Sequence, residues 1–111
     1  DLSLPSAILI ELYHLVVELS ERIHKGNFEG KTLTLKIKYG DFKQITRSIT
    51  VQNVLKSKED ILPLAKRLLH LVRYDNAHTI RLMGLSVSNP GGDGTSKRPE
   101  WIQLELEFKE W

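Results

Sequence analysis

The residues of this 111-residue chain whose types and spacing suit binding chemistry lie between positions 31 and 51, where lysine and hydroxyl side chains alternate with apolar ones. Alternate side chains of a β-strand point to opposite faces, so the pattern predicts a hairpin with one apolar and one polar face. The polar face carries Thr32, Thr34, Lys36, Lys38, Gln44, Thr46, Ser48 and Thr50. Because this hairpin face has no acidic residue, it favours an anionic ligand.

Two interpretations of the polar face follow from its residue types. Short hydroxyl side chains let a ligand approach the strand backbone, and the lysines supply positive charge without a deep pocket. Such a face suits a phosphate backbone better than a small molecule. The same alternation is also typical of a solvated sheet face in a two-layer fold. The alternation alone leaves both interpretations open.

The connection between the two strands decides which residues share a face. A strict two-residue turn at Gly40 and Asp41 would turn the two apolar sets to opposite faces. A loop with an odd residue count, or a bulge, instead pairs Leu35 with Arg47 and lets Phe42 fold back beneath the hairpin. Arg47 then has the parity of the apolar face. We expect its stem to reach solvent at a sheet edge, or the local twist to turn it toward the polar face.

One helix is predicted before the hairpin in the chain, and a second helix is predicted after it. Apolar residues at helical spacing predict a first helix from about Pro5 to His24. A capping box of Ser57 and Asp60 begins a second helix, which continues to about Tyr74. Each helix has one apolar stripe, so each is expected to pack against the apolar face of a sheet.

Two further strands complete the predicted sheet. Residues 80–88 alternate apolar side chains with small or hydroxylated ones, and Gly84 would let a ligand approach the backbone. Residues 90–100 are rich in glycine, proline and polar residues and predict a flexible loop or linker, after which residues 101–108 alternate again. We expect an α+β fold in which two helices pack on one face of a small antiparallel sheet. The residues expected beneath the helices are Leu35, Ile49 and Leu85.

Composition and charge narrow the classes of protein. The chain has the length of one domain, has no cysteine, and has no apolar run near the roughly 20 residues that span a membrane. We therefore expect no membrane partner and a cytoplasmic location, and the start at Asp1 suggests a domain of a longer protein. Positions 25–81 hold twelve basic and five acidic residues, whereas the flanking segments are net acidic. This concentration of positive charge favours a polyanion as the partner.

No catalytic or metal centre is predicted. The aspartates Asp41, Asp60, Asp75 and Asp93 have no spacing that suits two-metal chemistry. The four histidines are scattered and lack the spacing of metal ligands, so they are interpreted as helix-surface residues. We expect no catalytic residue, no metal ligand and no cofactor in this chain.

The segments TLKIKYGDF, ITRSIT and IRLMGLSVSN, in this order and with helices before and between them, resemble the little finger domain of Y-family translesion DNA polymerases. The bacterial DNA polymerase IV branch is the most similar, and the resemblance covers residues from about 6 to 89. It implies a β-α-β-β-α-β fold that lacks its first strand here, with residues 1–89 as the little finger domain. It also implies a sequence-nonspecific grip on duplex primer-template DNA through phosphates. The catalytic core of the same polypeptide, with its Mg²⁺, would lie outside this chain.

The resemblance adds residues of the third predicted strand to the binding face. Arg81 stands where the family has a basic residue, whereas Leu82, Ser86 and Ser88 occupy the DNA-facing positions that follow. Some relatives have arginine at two of these positions, so backbone amides and hydroxyls are expected to contribute more here. The predicted DNA-binding residues are Thr32, Thr34, Lys36, Lys38, Thr46, Arg47, Ser48, Thr50, Arg81, Gly84, Ser86 and Ser88.

The C-terminal segment, residues 101–111, has two interpretations. Its residues Gln103, Leu104, Leu106 and Phe108 resemble the short peptide by which bacterial polymerases dock on the sliding clamp. The same apolar residues also suit an edge strand, and the missing first strand leaves a sheet edge open. We expect residues 101–108 to pair antiparallel with residues 80–88 in this chain, with Leu104 and Leu106 toward the helices.

A second class of function remains open from the sequence. The chain would then be a protein-interaction domain that recruits a partner through its sheet edge and C-terminal segment, with the basic face incidental. Salt-dependent binding of duplex DNA separates the two functions. An RNA-binding module of the four-stranded type is disfavoured, because the predicted open face lacks aromatic residues.

Overall fold

In the described part of the chain, a helix followed by two strands occurs twice. The computed structural model describes residues 5–72 and 79–89, and the backbone of residues 101–107. The elements are α1 (Pro5–Gly26), β1 (Thr32–Tyr39), β2 (Gln44–Thr50), α2 (Lys58–His70), β3 (Ile80–Ser88) and β4 (Trp101–Glu107). Within these residues the strands form one sheet in the order β2-β1-β3-β4, and every neighbouring pair is antiparallel. The predicted α+β class is confirmed.

The first helix buries one stripe and ends in a Schellman motif. Its residues Ile8, Leu12, Leu15, Leu19 and Ile23 are almost completely inaccessible to solvent. Asn27 has a φ of 50°, and the Phe28 N–H donates to the Ile23 carbonyl at 3.1 Å. This bond closes the last turn. The helix therefore runs two residues beyond the predicted end at His24.

The second helix begins where the capping box predicts. The Asp60 carboxylate accepts hydrogen bonds from the Lys56 and Ser57 N–H groups at 3.2 and 3.3 Å. These bonds satisfy donors that precede the first helical turn. The helix ends at His70, four residues before the predicted end, and residues 73–78 lie outside the described residues.

The register of the sheet separates an apolar face from a polar one. Leu35 stands opposite Arg47 in β2 and opposite Leu85 in β3, so the predicted pairing of the hairpin is confirmed. Leu35 and Leu85 are fully buried against the helices. Ile49 is only half-buried, which corrects the prediction, because β2 is the outer strand and α2 covers it less than it covers β1.

The predicted position of Phe42 beneath the hairpin is wrong. Phe42 has a φ of 68°, and its side chain is 61% exposed. The Tyr39 N–H donates to the Lys43 carbonyl and closes the turn. The Phe42 N–H donates to the Tyr39 carbonyl, and the Lys43 N–H donates to Asp41 Oδ1. The apolar side at this end of β1 is already occupied by Tyr39, which is buried.

The last strand fills the edge of β3, as predicted. Leu104 stands opposite Leu85, and Leu106 stands opposite Met83. The predicted orientation of the β4 side chains, and Phe108 itself, lie outside the described residues. The family's first strand is missing here, and its absence was expected to leave the edge of β3 open. The pairing shows that β4 covers this edge.

Candidate nucleic-acid interface

The polar face of the sheet is built from cross-strand rows of hydroxyl and basic residues. Within β2, β1 and β3 the rows are Thr50-Thr32-Ser88, Ser48-Thr34-Ser86, Thr46-Lys36-Gly84 and Gln44-Lys38-Leu82. All the predicted DNA-binding residues of these strands except Arg47 and Arg81 fall in these rows. The alternation therefore brings ten of the twelve together.

Hydroxyl groups pair across the hairpin. Thr32 Oγ1 lies 2.8 Å from Thr50 Oγ1, and Thr34 Oγ1 lies 2.8 Å from Ser48 Oγ. A hydroxyl carries one donor and two acceptor sites, so each such bond leaves one hydroxyl hydrogen of the pair unused. Each pair can therefore donate one hydrogen bond to a phosphate oxygen while it remains intact.

The row that contains Lys36 combines one cation with two small residues. Lys36 stands between Thr46 and Gly84, two small residues, and is itself partly exposed. Gly84 is buried. The expected approach of a ligand to the Gly84 backbone stays a prediction.

A β-bulge near the start of β3 lies at Arg81. Lys38 pairs with Leu82, but the next residue, Tyr39, pairs with Ile80, so Arg81 is the extra residue. Strict alternation would assign Arg81 to the apolar face with Met83. A bulge re-aims a side chain, and here the Arg81 guanidinium reaches the face that carries Lys38.

Phe42 joins these two cations at the tip of the hairpin. Its ring centroid is 5.2 Å from Lys38 Nζ and 4.9 Å from Arg81 Cζ. Both distances fall within the range of cation–π interactions. Sequence reasoning missed Phe42 as a residue of this face, because the alternation of the strands does not extend into the turn.

Arg47 does not join the polar face. Its register position opposite Leu35 puts it on the helix side of β2, where it is exposed, and its Nη1 donates to the Thr46 carbonyl at 2.8 Å. Of the two alternatives predicted for this residue, the stem that reaches solvent at a sheet edge is the one observed. Its predicted contact with DNA stays a prediction.

The C-terminal strand extends the rows with acidic positions. Gln103 stands opposite Ser86, Glu105 opposite Gly84 and Glu107 opposite Leu82. The basic residues thus lie toward the hairpin, and acidic register positions lie at the opposite edge of the sheet. A polyanion is therefore expected to favour the hairpin side of this face.

Other surfaces of the described residues are separate from this face. One cavity of about 260 Å³ lies between the helices and is lined by Leu9, Ile10, Tyr13, Leu62 and Lys66.

Among the described residues there is no group of three or more histidine, aspartate or glutamate side chains that could hold a metal ion. Within the same residues, neither helix combines the length and apolar character needed to cross a membrane.

Comparison with known proteins assigns the chain to a family. Residues 1–105 match the C-terminal domain of the impB/mucB/samB family. The chain is 52% identical over 111 residues to DNA polymerase IV of Bacteroides fragilis strain YCH46, and it covers 30% of that protein. It is 45% identical over 94 residues to DNA polymerase IV of Akkermansia muciniphila, a match that covers 85% of this chain and 26% of that protein.

A third relative is also matched over only part of its length. DNA polymerase IV of Clostridium perfringens strain SM101 is 39% identical over 83 residues, which are 71% of this chain and 23% of that protein. The chain thus spans less than a third of the length of these relatives. The resemblance first carried by the hairpin and by IRLMGLSVSN is confirmed, and the chain belongs to the impB/mucB/samB family as a C-terminal domain of the DNA polymerase IV type.

Proposed function

We propose that this chain is the duplex-DNA-binding domain of a translesion DNA polymerase. It holds primer-template DNA through phosphate contacts and without preference for sequence. The observation that carries the proposal is the combination of paired hydroxyls with Lys36, Lys38 and Arg81 on one sheet face. Cations and hydroxyls at this spacing bind phosphate oxygens, whereas base reading needs side chains that enter a groove.

Polymerisation belongs to another part of the polypeptide in this proposal. The relatives are named DNA polymerase IV, and this chain spans less than a third of each. A catalytic core of the same polypeptide would bind Mg²⁺ and carry out nucleotidyl transfer. The present domain would hold the duplex so that distorted base pairs pass without being read.

A titration of labelled duplex at several salt concentrations tests the binding role. The 111-residue chain should bind weakly, with equal affinity for unrelated sequences, and its affinity should fall steeply as salt increases. Lys36→Ala should lower the slope of log affinity against log salt by about 0.9, the value for one phosphate contact. Lys66→Ala is the matched control, because Lys66 is exposed on α2 in the helix layer. Affinity that does not depend on salt, or equal effects of the two variants, would contradict the proposal.

Docking on a sliding clamp is the second part of the proposal. The segment with Gln103, Leu104, Leu106 and Phe108 would enter an apolar pocket of the clamp as an extended peptide. Since β4 pairs with β3 along residues 101–107, the segment has to leave the sheet before it can dock. The strand and the clamp peptide are then two states of one segment.

The docking role is tested in the full-length polymerase. Changing Leu104, Leu106 and Phe108 together to alanine should abolish clamp-stimulated synthesis and leave unassisted primer extension intact. Survival of clamp stimulation would make the segment purely structural. For the alternative function, recruitment of a partner through a sheet edge and the C-terminal segment, the edge of β3 is occupied by β4, and the outer edges of the described sheet are those of β2 and β4.

A further inference from the structure

Phe42 is an unusual residue for its position. It is the second of two non-glycine residues with positive φ among the described residues, and the other is an asparagine, which tolerates this conformation well. A bulky aromatic side chain at a φ of 68° is an outlier that costs conformational free energy. The ring does not recover this cost by burial, because 61% of the residue remains exposed.

The strained turn brings the Phe42 ring into contact with two cations. Lys38 Nζ and Arg81 Cζ lie 5.2 and 4.9 Å from the ring centroid, so they are no farther apart than the sum of these distances, 10.1 Å. Two like charges this close repel each other, and salt at physiological ionic strength screens that repulsion over a length of about 8 Å. The negative face of an aromatic ring attracts both cations and limits the rotamers that they sample.

The arrangement depends on three separate backbone features. The turn after β1 gives Phe42 its positive φ, the bulge of β3 re-aims Arg81, and the alternation of β1 places Lys38 on the polar face. The bulge and the alternation also serve the apolar core, since they bring Ile80 opposite Tyr39 on the buried face, whereas the exposed Phe42 lies outside this core. The three features converge on one ring and together set the positions of the two cations.

We infer that Phe42 is a positioning residue for DNA binding: its ring holds the Lys38 ammonium and the Arg81 guanidinium together at the hairpin tip, where they bind the phosphodiester backbone of a duplex. This inference rests on the proposed function. Ordering the cations before binding lowers the conformational entropy lost when phosphate binds. Phe42 itself carries no charge, so its contribution to affinity is exerted through its two neighbours.

The first arm of the test needs no DNA. In proton NMR spectra of the free chain, the side-chain methylene protons of Lys38 and Arg81 should show ring-current shifts. These shifts should disappear in Phe42→Leu and persist in Phe42→Tyr. Shifts that are the same in Phe42→Leu as in the unchanged chain would overturn the inference.

The second arm measures duplex affinity against salt. Phe42→Leu should weaken binding about two- to fivefold, the range of an exposed cation–π interaction, and should leave the salt slope unchanged because both charges remain. Phe42→Tyr should bind like the unchanged chain. Ile10→Ala, which removes an apolar side chain that is 56% exposed on α1, is the control and should have no effect.

Coupling to Lys38 separates positioning from a direct contact of the ring. Lys38→Ala should lower the salt slope by about 0.9. Adding Phe42→Leu to it should weaken binding by less than the product of the two single effects. Effects that simply multiply would show that the ring acts independently of Lys38 and would overturn the inference.

A further variant separates a loss of DNA binding from a loss of stability. Phe42→Gly adopts the positive φ without strain, so it should raise or preserve the melting temperature while it weakens duplex binding. A melting temperature that falls together with affinity would assign Phe42 to stability and overturn the inference. If the unchanged chain shows no salt-dependent binding at all, the proposed function falls as well. If Lys36→Ala weakens binding and Phe42→Leu does not, only the inference falls.

Discussion

The two sides of β1 differ in their role: one side packs in the core and the other belongs to the candidate interface. Leu33, Leu35 and Ile37 are fully buried against the helices, and each contributes about 1.5–3 kcal/mol of hydrophobic stabilisation. The intervening Thr34 and Lys36 remain partly exposed on the opposite face. Alternate residues therefore maintain the fold and form the candidate interface. A slip of one residue in the register would exchange the two sets, so the register decides stability and binding together.

The strongest way to break this division is to damage the buried side. Leu35→Ala should reduce the free energy of unfolding by about 2–5 kcal/mol, because Leu35 is completely buried. The substitution would leave a cavity among packed side chains. Chemical denaturation measures the loss. Duplex affinity, measured where the variant is still folded, should not change. A marked loss of affinity in the folded variant would mean that the two sides are not separable.

A smaller effect is expected from overpacking just before the same strand, which begins at Thr32. A Cβ added to Gly30 would lie 2.5 Å from Val87 Cγ1 and 2.8 Å from the Ser88 carbonyl oxygen. Gly30→Ala should therefore destabilise the fold by about 1–3 kcal/mol. Gly26→Ala is the matched control, because nothing lies within 4 Å of its added Cβ. Equal melting temperatures for the two variants would contradict the close approach of Gly30 to β3.

The smallest expected effect comes from comparing two charged residues on opposite sides of the sheet, Arg47 and Lys36. Arg47 stands opposite Leu35, on the helix side, whereas Lys36 lies on the polar face. If duplex DNA binds the polar face alone, Arg47→Ala should leave the salt slope of duplex binding unchanged, whereas Lys36→Ala lowers it by about 0.9. Both variants should keep their unfolding free energy within about 0.5 kcal/mol, since both residues are on the surface. An equal loss of slope in Arg47→Ala would show that DNA also contacts the edge of β2.

The sequence was sufficient to predict the faces of the hairpin but not the geometry at its tip. The apolar alternation of β1 and β2 required an odd loop and so predicted the pairing of Leu35 with Arg47. The side on which Phe42 lies depends on one backbone angle in the turn, which no periodicity encodes. The bulge at Arg81 arises from pairing between β1 and β3, which are far apart in the chain. Local patterns carry no information about such a long-range mismatch.

The position of Arg47 has a consequence for solubility. The outer strand β2 of the described sheet presents backbone groups that a second copy of the chain could pair with. Such a pairing would extend the apolar layer across the junction and press the Arg47 guanidinium into it. Burying an unpaired charge is costly, so this arginine opposes the stacking of sheets edge to edge. A cation on the apolar side of an outer strand thereby protects the chain from aggregation.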